Sequence, residues 1–412
     1  MSPDSGGEPA RTGGALSAAD WLDRGRVGRW GWGALVATVV SALVVIVSAY
    51  VLPEALDKRI LPPDFAAFWA AGHLVLEGRE AAVYDPEAVH AVQMAAIDPR
   101  ISGRMAWLYP PHALPFVTGL GWLPVWWAMA LFVAAGAGFF LWAAAHILPE
   151  RPALVAALAT APTVGCIAIG QAGFFWGGLV ALALVWRHRA PLLAGVPLAF
   201  MSVKPVLFAV LPLAYLAAGR WQALAAGAGL GLALMLAAGL LLGWDVWAAF
   251  FAQIGANAAH ATGEGVNYSH YISIYGNARV LGLDPALGLA LHLGVALPLL
   301  WMLVRAWREP GVAEDIRAAL LCYAMIAAAP RTLYYEGHVL VVGALFQVRH
   351  ALRAGFFPYE KTGLLAAHLV AFLSLAKQPG LSALLPHALF WGCAWGHWLR
   401  QREAAAVRQG DG

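Results

Sequence analysis

Long apolar runs alternate with short polar breaks along most of the chain, and a run of roughly 20 apolar residues crosses a bilayer as an α-helix. These runs predict about 12 transmembrane helices, several of them short. The predicted spans are residues 31–52, 124–147, 153–169, 172–186, 191–203, 205–217, 222–243, 285–306, 315–330, 336–350, 362–377 and 380–399. We therefore predict an all-α integral membrane protein built as a polytopic helical bundle.

The composition agrees with lipid as the solvent of this chain. Hydrophobic residues make up 61% of the 412 residues and charged residues only 12%, whereas a soluble domain carries about 25% charged residues. The net charge is +3, and no long block of lysine or arginine occurs. Nucleic-acid binding is therefore not expected, and membrane lipids are the predicted surroundings.

Several kinds of chemistry lack their sequence motifs. Cys166, Cys322 and Cys393 are isolated within apolar runs and fit neither a disulfide framework nor a metal cluster, so we predict packed cysteines. No zincin, P-loop, dinucleotide-binding or nucleophile-elbow motif occurs. No metal or cofactor is therefore expected, and if a sugar is transferred here, its donor should itself be a lipid.

The arginines predict the orientation of the chain, because short cytoplasmic loops carry an excess of basic residues. Both termini are then cytoplasmic, as tails 1–29 and 401–412, and residues 30–400 form the membrane domain. The long loops 53–123 and 244–284 face the outer, periplasmic side of the cell (inner) membrane. The arginines on the cytoplasmic side are Arg151, Arg187, Arg189, Arg220, Arg305, Arg308, Arg317, Arg349, Arg353, Arg400 and Arg402.

Both long outer loops contain signals for helices that lie on the membrane surface and shape a cleft there. An apolar, aromatic helix follows Asp64, and a second helix is predicted near residues 87–97. Residues 110–122 are apolar but rich in proline and glycine, which favours a helix that dips into the interface. The segment after Trp244 begins amphipathic and becomes polar and aromatic from Asn267.

Asp64 has two explanations from the residues alone. It follows Pro62 and Pro63, where an aspartate is a good helix N-cap whose carboxylate accepts backbone N–H bonds. Apolar neighbours such as Phe65 and Phe68 would instead raise its proton affinity, which suits a general base at the edge of the membrane. Both roles remain open at this point.

Two cations are candidates for binding a lipid phosphate. Lys204 stands between two short apolar spans and precedes Pro205. A lysine in that position either snorkels to the interface or meets an anion. Arg331 follows Pro330 at a predicted outer helix end and is suited to bidentate phosphate binding.

Other polar and aromatic residues near the outer helix ends are candidates for binding substrate, and each also has an ordinary explanation in a turn, an aromatic belt or a packed core. Gln171 lies in a very short turn after Gly170, and Glu336 lies close to two of the candidates in sequence. The candidates are Tyr109, His112, Gln171, His270, Asn277, Tyr335 and His338.

Five short segments occur in a fixed order along most of the chain. In the order and spacing of these segments, the chain resembles the membrane glycosyltransferases of the GT-C type, and most closely glycosyltransferase family 87. That family includes an actinobacterial mannosyltransferase that elongates phosphatidylinositol mannosides. The segments are Asp64-Phe65-x-x-Phe68-Trp69 with Gly78 and Tyr84-Asp85, Tyr109-Pro110-Pro111, Gly170-Gln171, Lys204-Pro205, and Pro330-Arg331 with Tyr334-Tyr335.

The resemblance implies a GT-C-like fold with its active site on the outer face. It implies a polyprenyl-phosphate sugar donor, typically polyprenyl-phosphate mannose, a lipid or glycan acceptor, and inversion at the transferred sugar. It also implies that the aspartate of the first outer loop, Asp64, is the catalytic base, beside which Lys204 and Arg331 are assigned to the donor phosphate. GT-C enzymes of the protein O-mannosyltransferase type have two adjacent acidic residues there, whereas this chain has Pro63 and Phe65 around the aspartate.

Two further classes of protein remain as alternatives. A transporter or lipid flippase would show related halves, paired broken helices and charges at mid-membrane depth, whereas the polar residues here gather on one predicted face. A structural subunit of an envelope complex would need no chemistry at Asp64 or Lys204.

Overall fold

The computed structural model describes most of the chain as α-helix, with one isolated antiparallel bridge between Tyr271 and Leu333. Parts of the predicted terminal tails and of both predicted outer loops lie outside the described residues. The described ranges are 15–52, 61–260, 267–375 and 379–410.

The helices follow one another with short connections. The first are α1 (Ala15–Ala18), α2 (Arg24–Ile46), α3 (Phe65–Leu76), α4 (Pro86–Ala96), α5 (Leu114–Thr118), α6 (Val125–Ala145) and α7 (Arg151–Leu158). Next come α8 (Ala161–Ile169), α9 (Gly173–Arg189), α10 (Pro191–Met201), α11 (Pro205–Phe208), α12 (Val210–Ala217), α13 (Trp221–Leu242) and α14 (Asp245–His260). The last are α15 (Ile274–Val280), α16 (Pro285–Arg308), α17 (Glu314–Ala328), α18 (His338–Ala354), α19 (Glu360–Ala371) and α20 (Pro379–Gly410).

Four described helices are long and apolar enough to cross a membrane by themselves: α2 with its extension to Val51, α6, α13 and α16. A fifth span is possible if α7 and α8 cross together, although they meet at a bend of 59°. The sequence predicted a span over 153–169, and in the structure this stretch is broken at Thr160, where the backbone is extended and Pro162 cannot donate an N–H to the preceding turn. The total of about 12 spans stays a prediction.

The helices divide into a buried set and a peripheral set. α17 is buried on all sides from Asp315 to Ala327 and packs against α16, α18 and α20, while α18 also packs against α9. The peripheral helices expose apolar side chains instead, such as Leu240 on α13 and Leu297 on α16, which are 77% and 60% exposed. A helix that is apolar all round and exposed belongs in lipid, so the membrane surrounds a central group formed by α9, α17 and α18.

The helices predicted within the two long loops are present in the described residues, and their place at the membrane surface stays a prediction. The expected helix near 87–97 is α4, with Asp85 accepting a hydrogen bond from the backbone N–H of Glu87 at 3.0 Å. Residues 110–122 form short helical pieces, including the 3₁₀ turn Gly119–Trp122. The amphipathic segment after Trp244 is α14. The three cysteines are free and buried, as predicted.

Close backbone packing fixes the position of α3. A Cβ atom at Gly72 would lie 2.3 Å from the carbonyl oxygen of Val117, and one at Gly121 would lie 2.5 Å from the backbone nitrogen of His73. The indole N–H of Trp69 donates a hydrogen bond of 2.8 Å to the carbonyl of Leu123. Helix α5 and the residues between α5 and α6 therefore hold α3 in place, and with it the residue that precedes the helix, Asp64.

We predict that Gly72→Ala destabilises the protein by about 1–3 kcal/mol, because the new methyl group would overlap a backbone carbonyl that cannot turn away. Gly138→Ala on α6 is the matched control, since a Cβ there meets nothing within 4 Å. Thermal unfolding of both variants in the same detergent measures the difference. Equal unfolding temperatures for Gly72→Ala and Gly138→Ala would show that α3 is not clamped in this way.

Candidate active site

The carboxylate of Asp64 is bonded to a side chain that lies far away in sequence. Asp64 occupies the N-cap position of α3, but its side chain makes no cap hydrogen bond, so the predicted capping contact is wrong. The side-chain amide of Gln171 instead donates to Asp64 Oδ2 at 2.5 Å. The residues brought together are 107 positions apart. The carboxylate is therefore turned into the space beside the α8–α9 turn.

The α8–α9 turn can approach Asp64 because two of its residues are glycines. Gly170 has a positive φ of 68°, and a Cβ atom there would lie 2.4 Å from Cβ of Phe65. A Cβ at Gly173 would lie 2.1 Å from the carbonyl oxygen of Tyr335. The turn is thus wedged between the start of α3 and the segment before α18, which places Gln171 next to Asp64.

Lys204 forms an ion pair with Glu336, a residue without a predicted role. Lys204 leaves helical geometry between α10 and α11 because Pro205 follows it. Its ammonium group donates to Glu336 Oε1, and it lies 5.8 Å from the centre of the Tyr335 ring. The other carboxylate oxygen of Glu336 accepts the backbone N–H of Leu333 at 2.9 Å. Since the Glu336 side chain is only 1% exposed and that of Lys204 22%, the lysine forms the accessible half of the pair.

Asp64 and the ion pair belong to one electrostatic cluster. Asp64 interacts with the positive charge of Lys204. The charge of Asp64 also reaches the hydroxyl groups of four tyrosines, which are Tyr50, Tyr109, Tyr334 and Tyr335. Burial raises the pKa of Asp64 above its ordinary value, although the hydrogen bond from Gln171 and the charge of Lys204 act in the opposite direction. A carboxylate with raised proton affinity and partial exposure can accept a proton from a bound hydroxyl.

Aromatic rings form one wall of the cluster. The ring of Tyr109 lies 5.5 Å from Phe68, 5.1 Å from Trp107 and 6.3 Å from Trp176 between centroids. The hydroxyl of Tyr84 donates to the carbonyl oxygen of Tyr109 at 2.8 Å. These contacts hold the Tyr109 backbone and ring in one position, so its hydroxyl remains near the charges of the site.

The residues just before α15 join the site through the segment that carries Arg331. The backbone N–H of Ile272 donates to the carbonyl of Thr332 at 2.8 Å, and the hydroxyl of Ser273 donates to the carbonyl of Pro330 at 2.6 Å. Arg331 is partly exposed and makes no hydrogen bond or ion pair with any residue in the described ranges. Tyr271 is within electrostatic reach of both Arg331 and Glu336. Arg331 is thus a cation with uncommitted donors close to the Lys204 pair.

The structure separates the other predicted residues from this cluster to different degrees. His270 lies over Tyr334 with 5.7 Å between ring centroids, at the edge of the site. The amide of Asn277 donates to the carbonyl of Ser273 at 2.9 Å, one turn back in the same helix. These contacts leave His270 next to the cluster and turn Asn277 toward its own backbone.

Two predicted histidines are buried in packed surroundings. His338 is 0% exposed, lies 3.2 Å from the hydroxyl of Thr163 and packs against Phe174 with 4.4 Å between ring centroids. His112 lies 2.9 Å from the hydroxyl of Ser202, and burial lowers its pKa to about 4, so its ring is neutral near pH 7. His338 is therefore a core residue, and His112 positions the chain beside Lys204 through Ser202.

Sequence reasoning assigned no role to Glu336, Tyr50 or Tyr334. The sequence did contain a signal for Glu336. Lys204 lies between two apolar spans and needs a counter-ion there, and carboxylates are rare in this chain. No pattern placed Tyr50, at the end of the first apolar helix, beside a carboxylate of the following loop. Glu336 is thus the main addition that the structure makes to the predicted site.

Comparison with known proteins gives one match. Residues 107–334 match the family model described as glycosyltransferase family 87. No curated protein matches the chain, and no solved structure matches it. The matched segment is more than half of the chain and contains Lys204 and Arg331, whereas Asp64 and Glu336 lie outside it.

We predict strong coupling between Lys204 and Glu336 in stability. Lys204→Met leaves a buried carboxylate without its counter-charge, which costs about 3–5 kcal/mol. The double variant Lys204→Met/Glu336→Gln removes both charges and should lose much less than the sum of the two single losses. Thermal or denaturant unfolding of the four proteins in detergent measures this.

The exposed pair of Arg104 and Glu87, at 3.7 Å, provides the control cycle. Its coupling should be below about 1 kcal/mol, because solvent screens exposed ion pairs. Additive losses at Lys204 and Glu336 would contradict the buried ion pair.

Proposed function

We propose a reaction for this chain, which belongs to glycosyltransferase family 87 and is a membrane glycosyltransferase acting on a sugar donor and an acceptor. The protein transfers a hexose, mannose by family resemblance, from a polyprenyl-phosphate donor to a hydroxyl of a lipid or glycan acceptor. The observation that carries this proposal is the Asp64 carboxylate, which makes no helix-cap hydrogen bond, accepts one from Gln171 and interacts with the positive charge of Lys204.

The proposed chemistry is a single displacement. The acceptor oxygen attacks the anomeric carbon of the sugar as Asp64 removes the proton from that oxygen. The bond between the anomeric carbon and the phosphate oxygen breaks, and polyprenyl phosphate leaves with the bonding electrons. The configuration at the anomeric carbon is inverted, because the attacking and leaving oxygens are on opposite sides of it. The aspartic acid then releases its proton to solvent.

The ionic groups of the site suit the leaving phosphate. Lys204 has N–H donors beyond the one directed at Glu336, and its side chain is partly exposed. Arg331 has no partner among the described residues and can bind two phosphate oxygens at once. Glu336 keeps Lys204 charged and in place before the donor arrives, so little reorganisation is needed when negative charge develops.

The aromatic wall suits the sugar and its lipid. The partly exposed ring of Tyr109 offers an apolar face on which the C–H groups of a hexose can pack, while tyrosine hydroxyls offer hydrogen bonds. Placing this wall at the outer membrane surface lets a long polyprenyl chain remain in lipid while its phosphate reaches the cations. We place the site on the outer face and both termini in the cytoplasm, following the arginine distribution.

We expect Asp64→Asn to lower the rate of sugar transfer at least about 100-fold, because the amide cannot accept the acceptor proton. The assay follows radiolabelled mannose from polyprenyl-phosphate mannose into membrane lipids and glycans, with protein level and unfolding temperature measured in parallel. Asp98→Asn is the control, since Asp98 lies in the same loop and pairs with Arg100 at the surface. Wild-type transfer by Asp64→Asn would rule out Asp64 as the base.

We expect Gln171→Ala to move the acid side of the pH–rate profile to higher pH. The base acts only when deprotonated, so its rate falls as the pH drops through its pKa. Removing the amide donor removes an interaction that lowers the pKa of Asp64.

Gln222→Ala, at an exposed position on α13, is the control for this profile and should match the wild type. An unchanged acid limb in Gln171→Ala would mean that the Gln171 contact does not influence the titrating group.

A further inference from the structure

A second polar centre lies at the far end of the central helices and has no part in the proposed reaction. A cavity of about 140 Å³ is present there. The residues of its lining that matter for the argument are Arg187, His188, Arg189, Glu314, Asp315 and Arg349. One water needs about 10–15 Å³ of such space, so the cavity has room for a polyatomic ion.

Helix geometry puts this cavity on the opposite side of the membrane from Asp64. Gln171 lies just before α9, and Arg187 and Arg189 lie at its other end. At 1.5 Å per residue the two ends are separated by about 25 Å, close to the thickness of the hydrocarbon layer. α18 runs in the same way, from Glu336 just before it to Arg349 in its last turns. The cavity is therefore separate from the Asp64 cluster.

Cations outnumber carboxylates around the cavity. Glu314 accepts from Arg187 at 2.8 Å, from His188 at 2.8 Å and from Arg317 at 2.9 Å. Asp315 pairs with Arg349, and with Arg353 at 3.6 Å. The cavity and its direct partners thus bring six arginines to two carboxylates within the described part of the chain; the six are Arg187, Arg189, Arg220, Arg317, Arg349 and Arg353.

Some arginine donors in the lining are not used by these pairs. Arg187 is only 3% exposed, and its Nε–H has no hydrogen-bond partner in the described structure. Arg189 is exposed and makes no hydrogen bond or ion pair with the residues described. A surplus of arginines alone is expected on the predicted cytoplasmic side and needs no ligand. A surplus of charge combined with a buried unbonded Nε–H indicates that an anion completes the centre.

We propose that this cavity binds a phosphate group, carried either by an anionic phospholipid head group or by a soluble phosphate. Guanidinium groups bind phosphate oxygens in pairs, and basic pockets between membrane helices on the predicted cytoplasmic side suit phospholipid head groups. Glu314 and Asp315 orient Arg187 and Arg349 around the cavity, and Arg189 supplies the free donors. The inference does not depend on the proposed sugar transfer, because its site and its readout are different.

The test uses the full-length protein purified in a neutral detergent. Native mass spectrometry measures retained phosphatidylglycerol against phosphatidylcholine, and a thermal shift measures sodium phosphate against sodium chloride at equal ionic strength. Arg189→Gln removes the free donors without breaking a contact among the described residues. Arg308→Gln is the control, because Arg308 is exposed, ends α16 and does not line the cavity.

Arg189→Gln should weaken binding about tenfold, the effect of one lost hydrogen bond to a charged group. Arg308→Gln should bind as the wild type does, and Arg189→Lys should be intermediate because it retains the charge. Loss confined to phosphatidylglycerol identifies a lipid head group, and loss of the phosphate shift alone identifies a soluble anion; either outcome supports the proposal. Equal binding by Arg189→Gln and Arg308→Gln, or no preference for phosphate-bearing anions in any protein, would overturn it.

Discussion

The close approach of the α8–α9 turn to two other backbone segments is the contact on which the site depends. Gly170 lies against the side chain of Phe65, and Gly173 lies against the carbonyl of Tyr335. Any side chain at these two glycines would push the three segments apart. The turn carries Gln171, the first contact belongs to the helix that follows Asp64, and the second adjoins Glu336. These two contacts of one turn thus set the distances among groups that come from three distant parts of the sequence.

The charged groups held in this arrangement differ in their hydrogen-bond partners and in their exposure. Glu336 is buried and accepts two hydrogen bonds, one of them from Lys204, so it holds Lys204 in position. Asp64 accepts one hydrogen bond, from Gln171, and is partly exposed, so it is the carboxylate that is better able to accept a proton. Two carboxylates in one cluster therefore differ in environment, and in the proposed reaction Glu336 holds a charge in place while Asp64 accepts a proton. The same division between paired and uncommitted groups separates Lys204 from Arg331.

The sequence allowed prediction of what depends on local pattern. The helix after Asp64, the helix α4 and the packed cysteines all follow from short stretches of residues. The contact between Asp64 and Gln171 could not be predicted, because it joins positions 107 residues apart and replaces a local cap bond that the sequence favours. Gln171 and Lys204 were candidates from their positions, in a very short turn and between two short apolar spans, and both also lie in the segments that carry the family resemblance. Glu336 was missed although Lys204 needed a counter-ion, because the sequence does not show which carboxylate the fold places beside that lysine.

The most direct test of the account is a structure of the protein bound to a phosphonate analogue of polyprenyl-phosphate mannose. The account predicts that the anomeric carbon of the sugar faces the Asp64 carboxylate and that the phosphonate oxygens contact Lys204 and Arg331. The polyprenyl chain should leave the site along the lipid-facing side. An analogue whose phosphonate lies away from both cations, or whose sugar is turned away from Asp64, would contradict the central claim that this carboxylate and these cations form the transfer site.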